Sequence, residues 1–422
     1  MSDLALSGGP PTWRDGWPNW PQSSDATRRN LDAVLESHRW SISGQYRGEP
    51  SWEQRFGEAF AAFTGAAHCV PAATGTASLT MALEACEVGA GDEVIVPGVT
   101  WVASASAVLG INAVPVLADV DPHTGCLDPA AVERAITPRC RAITVVHLGS
   151  AVADLDGLLA IARRRGVPLI EDCAQAHGAH YRGRHVGRFG VAGTFSMQHS
   201  KLLTSGEGGA VITDDPALAR RLAHLRADGR TFSPTPPPVD EMELVETAEV
   251  MGNNYCLSEF HAAILLAQLE KLAPELERRA ANAARLDAAL RALGCAPQET
   301  APETTARTYY SYVVRLPEAM IQAVASDRVA AALTAELGLP CKAMYAPLDR
   351  NRLYRPESRR RFALGDSFIA SVRPDRFDLP SAVGFARSAV ALPHRMLLAG
   401  ADEMDAVAAA FAKLLAHYGE IA

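Results

Sequence analysis

The chain has 422 residues, 48% of them hydrophobic and 21% charged, enough apolar material for at least two domains with cores of their own. Its formal net charge of −8 gives no electrostatic case for nucleic acid or an anionic membrane as a partner. Eight scattered cysteines (Cys69, Cys86, Cys126, Cys140, Cys173, Cys256, Cys295 and Cys341) contain no CxxC pair, which speaks for reduced thiols and against a disulfide framework or a zinc site.

Residues 1–24 are rich in Pro, Gly and Trp and read as an irregular arm. Their opening, MSDLALSGGPPTWRDG, lacks the basic start and apolar core of a signal peptide, and no apolar stretch reaches membrane-spanning length, so a cytoplasmic protein is expected. Asp25–Glu36 sets Leu31, Val34 and Leu35 at helical spacing, a pattern broken by Gly44 and Gly48. Ser51 with Gln54 makes a capping box, and Phe56, Phe60 and Phe63 form a helical stripe that reads as core.

From residue 68 the short apolar runs CVPAA, EVIVPG, VPVLADV, AITVVHL and VPLIEDC alternate with helical stretches such as Ala77–Cys86 and Leu155–Arg165. That alternation predicts an α/β fold with a mostly parallel sheet covered by helices on both faces. TFSM and GGAVIT continue the strands with little helix between them. The prolines and acids of FSPTPPPVDEMELVE predict a surface excursion or flexible loop at 232–246. A long helical pattern follows from Leu257 to about Leu293, with Pro274 a point where it can break. A strand (TYYSYVVRL), a helix (Asp327–Leu337) and a closing helix (Ala401–Leu415) then suggest a smaller second domain. The division expected is an arm and helix over 1–45, a large cofactor-binding domain over 46–270 and a small domain over 271–422.

Three stretches carry chemistry in combination. Lys201 stands between two strand-like runs, in FSMQHSKLLTSGEGGAVIT, where burial lowers an ammonium's pKa and suits it to carbonyl chemistry. Asp172 ends an earlier strand, in VPLIEDCAQ. A lysine to take an aldehyde and a carboxylate to pair with a pyridinium nitrogen are the two halves of a pyridoxal 5′-phosphate site. Ala73-Thr74-Gly75-Thr76-Ala77-Ser78 turns from strand to helix and leaves free N–H groups where the helix dipole favours a phosphate, with Thr76 and Ser78 adding hydroxyls. Ligands of open α/β sheets gather at these strand ends.

Weaker signals surround them. Trp101 opens the next helix, where it can stack on a ring or simply pack against the sheet. Gln175, His177 and His180 crowd around Asp172, but no second cluster at metal-ligand spacing accompanies them, so no metal is expected. Asn253, Asn254 and Ser258 are good turn and cap residues, and one of the amides can instead donate to a phosphate.

In this order TGTAS, TW, EDCAQAHG, FSMQHSKLLTSGEGGAV and NNYCLSEF resemble the DegT-type sugar aminotransferases, pyridoxal-phosphate enzymes of the aspartate-aminotransferase fold (fold type I). RWSISGQYRGE, SMQHSKLLTSGEGG, NNYCLSEFHAAILLAQL and TYYSYVVRL are similar to one branch. It comprises the L-glutamine:scyllo-inosose and 2-deoxy-scyllo-inosose aminotransferases of aminoglycoside biosynthesis.

The resemblance implies that Lys201 takes the cofactor's aldehyde and, once released, shuttles the proton, while Asp172 keeps the pyridine nitrogen protonated. Trp101 would stack on the ring and Gln175 touch its other polar edge. Gly75, Thr76 and Ser196 would hold the phosphate, joined by Asn254 from the second subunit of a homodimer with shared active sites. With L-glutamine as donor and a cyclitol ketone as acceptor, Tyr309, Tyr310, His147, His394 and Asp349 become candidates for the substrate pocket.

Two departures stand out. His147-Leu148 is followed by Gly149-Ser150 where many relatives have an aromatic and then a glycine, as though a wall beside the cofactor had been removed. Pro347-Leu348-Asp349 replaces a common Pro-Leu-His. Competing readings are an aminotransferase of nucleotide-linked keto-sugars or other cyclic ketones, a 3-amino-5-hydroxybenzoate synthase-like enzyme, and a silent cofactor-binding sensor. Sugar 3-dehydratases carry histidine at the lysine, and Lys201 removes them. A dinucleotide oxidoreductase lacks its GxGxxG.

Overall fold

The computed structural model describes residues 2–362 and 364–422. Its larger half is built on seven strands: β1 His68–Ala72, β2 Glu93–Pro97, β3 Val114–Ala118, β4 Cys140–Val146, β5 Leu169–Asp172, β6 Ala192–Ser196 and β7 Gly209–Thr213, in the order β1-β7-β6-β5-β4-β2-β3. Neighbours from β6 through β3 pair in parallel, whereas β7 is antiparallel to both β6 and β1. The exception follows from the chain between β6 and β7: a loop without a crossover helix can only return antiparallel. The residues of β2, β3 and β7 are buried throughout, as expected of a sheet covered on both faces.

The helices between strands begin at side-chain caps. Thr74 accepts from the N–H of Ala77, Asp154 from Gly157 and Asp215 from Ala217, which starts Gly75–Ala85, Leu155–Arg165 and Pro216–Arg226. The predicted capping box of Ser51 and Gln54 opens Trp52–Thr64, and Phe56 and Phe60 of the stripe are fully buried. Because β1, β2, β4, β5 and β6 point the same way, their C-terminal ends meet at one edge.

Helix Glu259–Ala292 passes through Pro274 without interruption. Pro274 and Glu270, whose carbonyl loses its partner there, both lie on the solvent side, while Leu272 and Arg279 are buried. On that side the freed carbonyl is open to solvent, and packing of the buried face holds the helix. The proline-rich excursion is likewise better ordered than a loose loop: Arg230–Phe232 pairs with Leu244–Glu246, and a buried Arg39–Glu243 ion pair of 2.7 Å stands at its foot.

The second core surrounds a four-stranded antiparallel sheet in the order Ala296–Pro297, Ser311–Arg315, Ala389–Pro393, Lys342–Ala343. The end of the long helix, Ser326–Leu337 and Ala401–His417 pack around it. The N-terminal arm belongs to this core too: Leu4 is fully buried there, with Trp13 and Trp17 against it. Glu336 organises the contact, accepting from the N–H of Ala5 (2.8 Å), the N–H of Thr12 (2.9 Å) and the hydroxyl of Thr12 (2.7 Å), and pairing with Lys413 at 2.8 Å. Among the described residues no helix is long and apolar enough to cross a membrane.

Candidate active site

A cavity of about 900 Å³ opens where the strand ends meet the second core. Thr74, Gly75 and Thr76 line one side of it, at the start of helix Gly75–Ala85, whose first N–H groups have no intrahelical partner. A Cβ on Gly75 would fall 2.5 Å from the Cβ of Ser196, so only glycine lets this turn lie against the end of β6. Ser196 lines the same side. Ser78, expected to add a hydroxyl, is instead fully buried and donates to the Thr74 carbonyl at 3.1 Å.

Asp172 ends β5 at the cavity. Its carboxylate accepts from the N–H of Ala174 (3.1 Å) and the hydroxyl of Ser104 (3.0 Å). Burial raises its pKa, and those hydrogen bonds together with the charges of Lys201 and His147 offset only part of the effect. Its neighbour Glu171 points the other way. It accepts from the N–H groups of Gly187 (2.7 Å), Phe189 (2.7 Å) and Gly190 (2.8 Å) and faces His147 Nε2 at 3.3 Å. Burial works against its charge, but these donors hold it below the usual carboxylate range. The Glu171 clamp pins β5, and therefore Asp172, to the loop before β6.

Lys201 is 9% exposed and makes no ion pair among the described residues. Its Nζ lies 4.1 Å from the centroid of the Tyr310 ring, and the Tyr310 hydroxyl is 3.1 Å from Ser200 Oγ. Trp101 is half-exposed in the turn before helix Ala103–Gly110, with its ring 6.0 Å from that of Tyr345. Gln175 lines the cavity and accepts from the N–H of Gly149 at 2.7 Å. His394 lines it too, donating from Nε2 to the Ser200 carbonyl at 3.1 Å.

Four expected residues lie elsewhere. Tyr309 is buried in the second core, 6.2 Å from Tyr312, because neighbours along an extended stretch face opposite sides and Tyr310 takes the cavity side. His147 is buried behind β4, accepting from the N–H of Ala153 at 3.2 Å while Nε2 faces Glu171. Asp349 turns to Arg350, 3.3 Å away in the turn Leu348–Arg350. Asn254 is exposed, bridged to Ala227, and does not line the cavity of its own chain.

Gly149 of the glycine departure lines the cavity. Gly149 has φ +68°, and a Cβ there would fall 2.7 Å from Gln298 Oε1 and 2.9 Å from Val313 Cγ2. A side chain there would press on Gln298 and Val313.

Sequence reasoning passed over Tyr345, Trp20, Lys342 and Arg395, all of which line the cavity. Tyr345 sits in a loop and Trp20 in the irregular arm, where no periodicity marks a buried face. Tyr345 stands only two positions before the Pro347-Leu348-Asp349 departure, which was the available signal.

The profile of the DegT/DnrJ/EryC1/StrS aminotransferase family matches residues 21–410. The chain belongs to this family. It is 58% identical to the L-glutamine:2-deoxy-scyllo-inosose aminotransferase of Streptomyces fradiae over 422 residues, covering 100% of both chains. It is also 58% identical to the L-glutamine:scyllo-inosose aminotransferase of Streptomyces griseus over 420 residues, covering 100% of this chain and 99% of that one. The crystal structure of 3-amino-5-hydroxybenzoic acid synthase superposes with a TM-score of 0.81 at 33% identity, covering 95% of this chain and 99% of that one.

As a member of the DegT/DnrJ/EryC1/StrS family with a fold-type-I architecture, the chain is a pyridoxal-phosphate-dependent aminotransferase. The cavity suits that cofactor. It offers a helix N-terminus for a dianion, a lysine without a carboxylate partner, and a buried carboxylate that a protonated ring nitrogen would keep charged.

Proposed function

We propose that the protein transfers the amino group of L-glutamine to a cyclitol ketone, 2-deoxy-scyllo-inosose or scyllo-inosose, in the making of an aminoglycoside. The observation that carries this reading is the 58% identity, end to end, to two enzymes named for those substrates. The cavity is compatible: Tyr310, Tyr345, Trp20 and Trp101 offer aromatic faces and hydroxyls suited to an uncharged, polyhydroxylated ring.

Bound at the strand ends, pyridoxal 5′-phosphate supplies an aldehyde and an electron-withdrawing ring. Gly75, Thr76 and Ser196 would hold its phosphate, Trp101 one ring face, and Gln175 the ring's polar edge. Asp172 would hold a proton on the ring nitrogen. Overall, glutamine exchanges its Cα–N bond for C=O, and the ketone's C=O becomes CH–NH2. Lys201 Nζ removes the proton from glutamine's Cα and delivers one to the cyclitol carbon. Asn254, which does not line its own chain's cavity, would complete the phosphate site of a second copy in a homodimer.

The test is a panel of L-glutamine, L-alanine and L-glutamate against both cyclitol ketones and a nucleotide-linked keto-sugar, followed by the cofactor's visible absorbance. Bleaching by glutamine and recovery by a cyclitol ketone are expected, with all turnover absent in Lys201→Ala. Recovery by the nucleotide sugar alone would overturn the acceptor. An Asn254→Ala enzyme that retains cofactor as firmly as wild type would overturn the shared site.

A further inference from the structure

The two substrates of the proposed reaction pose unequal binding problems. An amino-acid donor brings an α-carboxylate, whereas a cyclitol ketone brings hydroxyls and no charge. Besides Lys201, which the chemistry occupies, the cavity is lined by the cations Lys342 and Arg395. Neither is paired with a carboxylate among the described residues.

The two are placed very differently. Lys342 is exposed on the short edge strand Lys342–Ala343. Arg395 is half-buried, and its Nη1 donates to the Pro18 carbonyl of the N-terminal arm at 2.8 Å. One anchored nitrogen fixes the plane of a guanidinium and leaves its other N–H groups to be presented together, the geometry that matches a carboxylate.

The backbone carrying Arg395 is also tied to the reacting lysine. Pro393 pairs with Ser311, next to Tyr310, and His394 donates to the carbonyl of Ser200, the residue before Lys201. The ring of Trp20, again from the arm, sits edge-on to His394 at 4.7 Å. Burial and the charge of Arg279 push the His394 pKa down to about 3, so it adds no positive charge beside Arg395.

We propose that Arg395, oriented by Pro18 of the arm, holds the α-carboxylate of the amino donor. This rests on the amino-acid-donor reading above and deepens it. In the other half of the cycle the same N–H groups face a neutral acceptor, so losing them falls mainly on the donor.

The experiment follows the two half-reactions separately in cofactor-loaded wild type, Arg395→Gln, Arg395→Lys and Lys342→Gln. The donors are L-glutamine and 4-aminobutanamide, which is glutamine without its carboxylate. Arg395→Gln should reduce the efficiency with glutamine about ten- to a hundredfold, the range for a lost charged hydrogen-bond pair. Its efficiency with 4-aminobutanamide and with the cyclitol ketone should stay close to wild type. Arg395→Lys should recover part of the loss. Equal losses with both donors would show a merely structural arginine and overturn the proposal, as would a selective glutamine defect in Lys342→Gln in place of Arg395→Gln. Wild-type enzyme that accepts no amino acid would instead refute the functional reading itself.

Discussion

Lys201 presents its ammonium to the face of Tyr310, 4.1 Å from the ring centroid, and not to a carboxylate. A π-face holds a cation more weakly than an ion pair does. Burial alone would raise the Tyr310 hydroxyl, but the charge of Lys201 and the contacts with Ser200 and Tyr345 outweigh it and leave its pKa below the ordinary range. Burial and the neighbouring Tyr310 hold Tyr345 above it. Tyr310→Phe keeps the face and removes the titrating hydroxyl, so the alkaline limb of kcat/KM should move to higher pH with little loss at neutrality. Tyr310→Ala also loses the face and should fall roughly tenfold. A pH–rate profile of the three enzymes checks both expectations.

Asp172→Asn preserves the shape of the carboxylate but not its charge. The variant should fold and bind cofactor while losing about a hundredfold or more in kcat, the scale of a removed preorganised electrostatic contact. Single-turnover bleaching by glutamine is the direct measurement. A rate near wild type would remove the role given to Asp172.

Gly149→Ala should destabilise the fold by about 1–2 kcal/mol, since the residue has φ +68° and its new Cβ would press on Gln298. Gln298 is fully buried, accepts from the N–H of Ser150 at 3.0 Å, and donates to the carbonyls of Thr124 (2.7 Å) and Leu148 (3.0 Å). Because the two changes break one network, Gly149→Ala and Gln298→Ala should combine to less than the sum of their separate effects. Urea midpoints of the four proteins give the comparison.

Acid should weaken the protein in a defined window. Burial and then the charge of Lys201 push the His177 pKa down to about 3, and His394 is likewise near 3, against 6.5 in an unfolded chain. Between those values the unfolded state binds more protons. Stability is therefore unaffected by these groups above about pH 6.5 and declines as pH falls toward 3. His177→Leu should flatten that decline, read as the urea midpoint against pH. An unchanged slope would mean that His177 protonates without unfolding.

The sheet and the strand ends that line the cavity were legible because they rest on local patterns. Leu155–Arg165 was predicted with the bounds it has, since its apolar spacing, acidic cap and terminal arginines all agree. The Gly75 turn and Asp172 were legible for the same reason: each is a strand end with a chemical marker. The rest of the cavity wall was not. Tyr309 and Tyr310 are indistinguishable until the strand's facing is known, and His147 reads as a pocket residue until Glu171 is seen beside it. Pro18 and Arg395 are hydrogen-bonded across 377 positions of sequence, a contact that no spacing rule encodes.

The seat of the arm has a consequence for the order of manufacture. Leu4, Thr12 and Trp17 leave the ribosome well before the surfaces that hold them, Ser326–Leu337 and Ala401–His417. The sheet and its lysine can assemble while the arm still hangs loose, because domains form as their own chain emerges. The wall bearing Trp20 and steadying Arg395 can close only after synthesis of helix Ala401–His417. A ribosome stalled before Ala401 would thus carry the seven-stranded sheet with its lysine while the second core still lacked the helix that closes it.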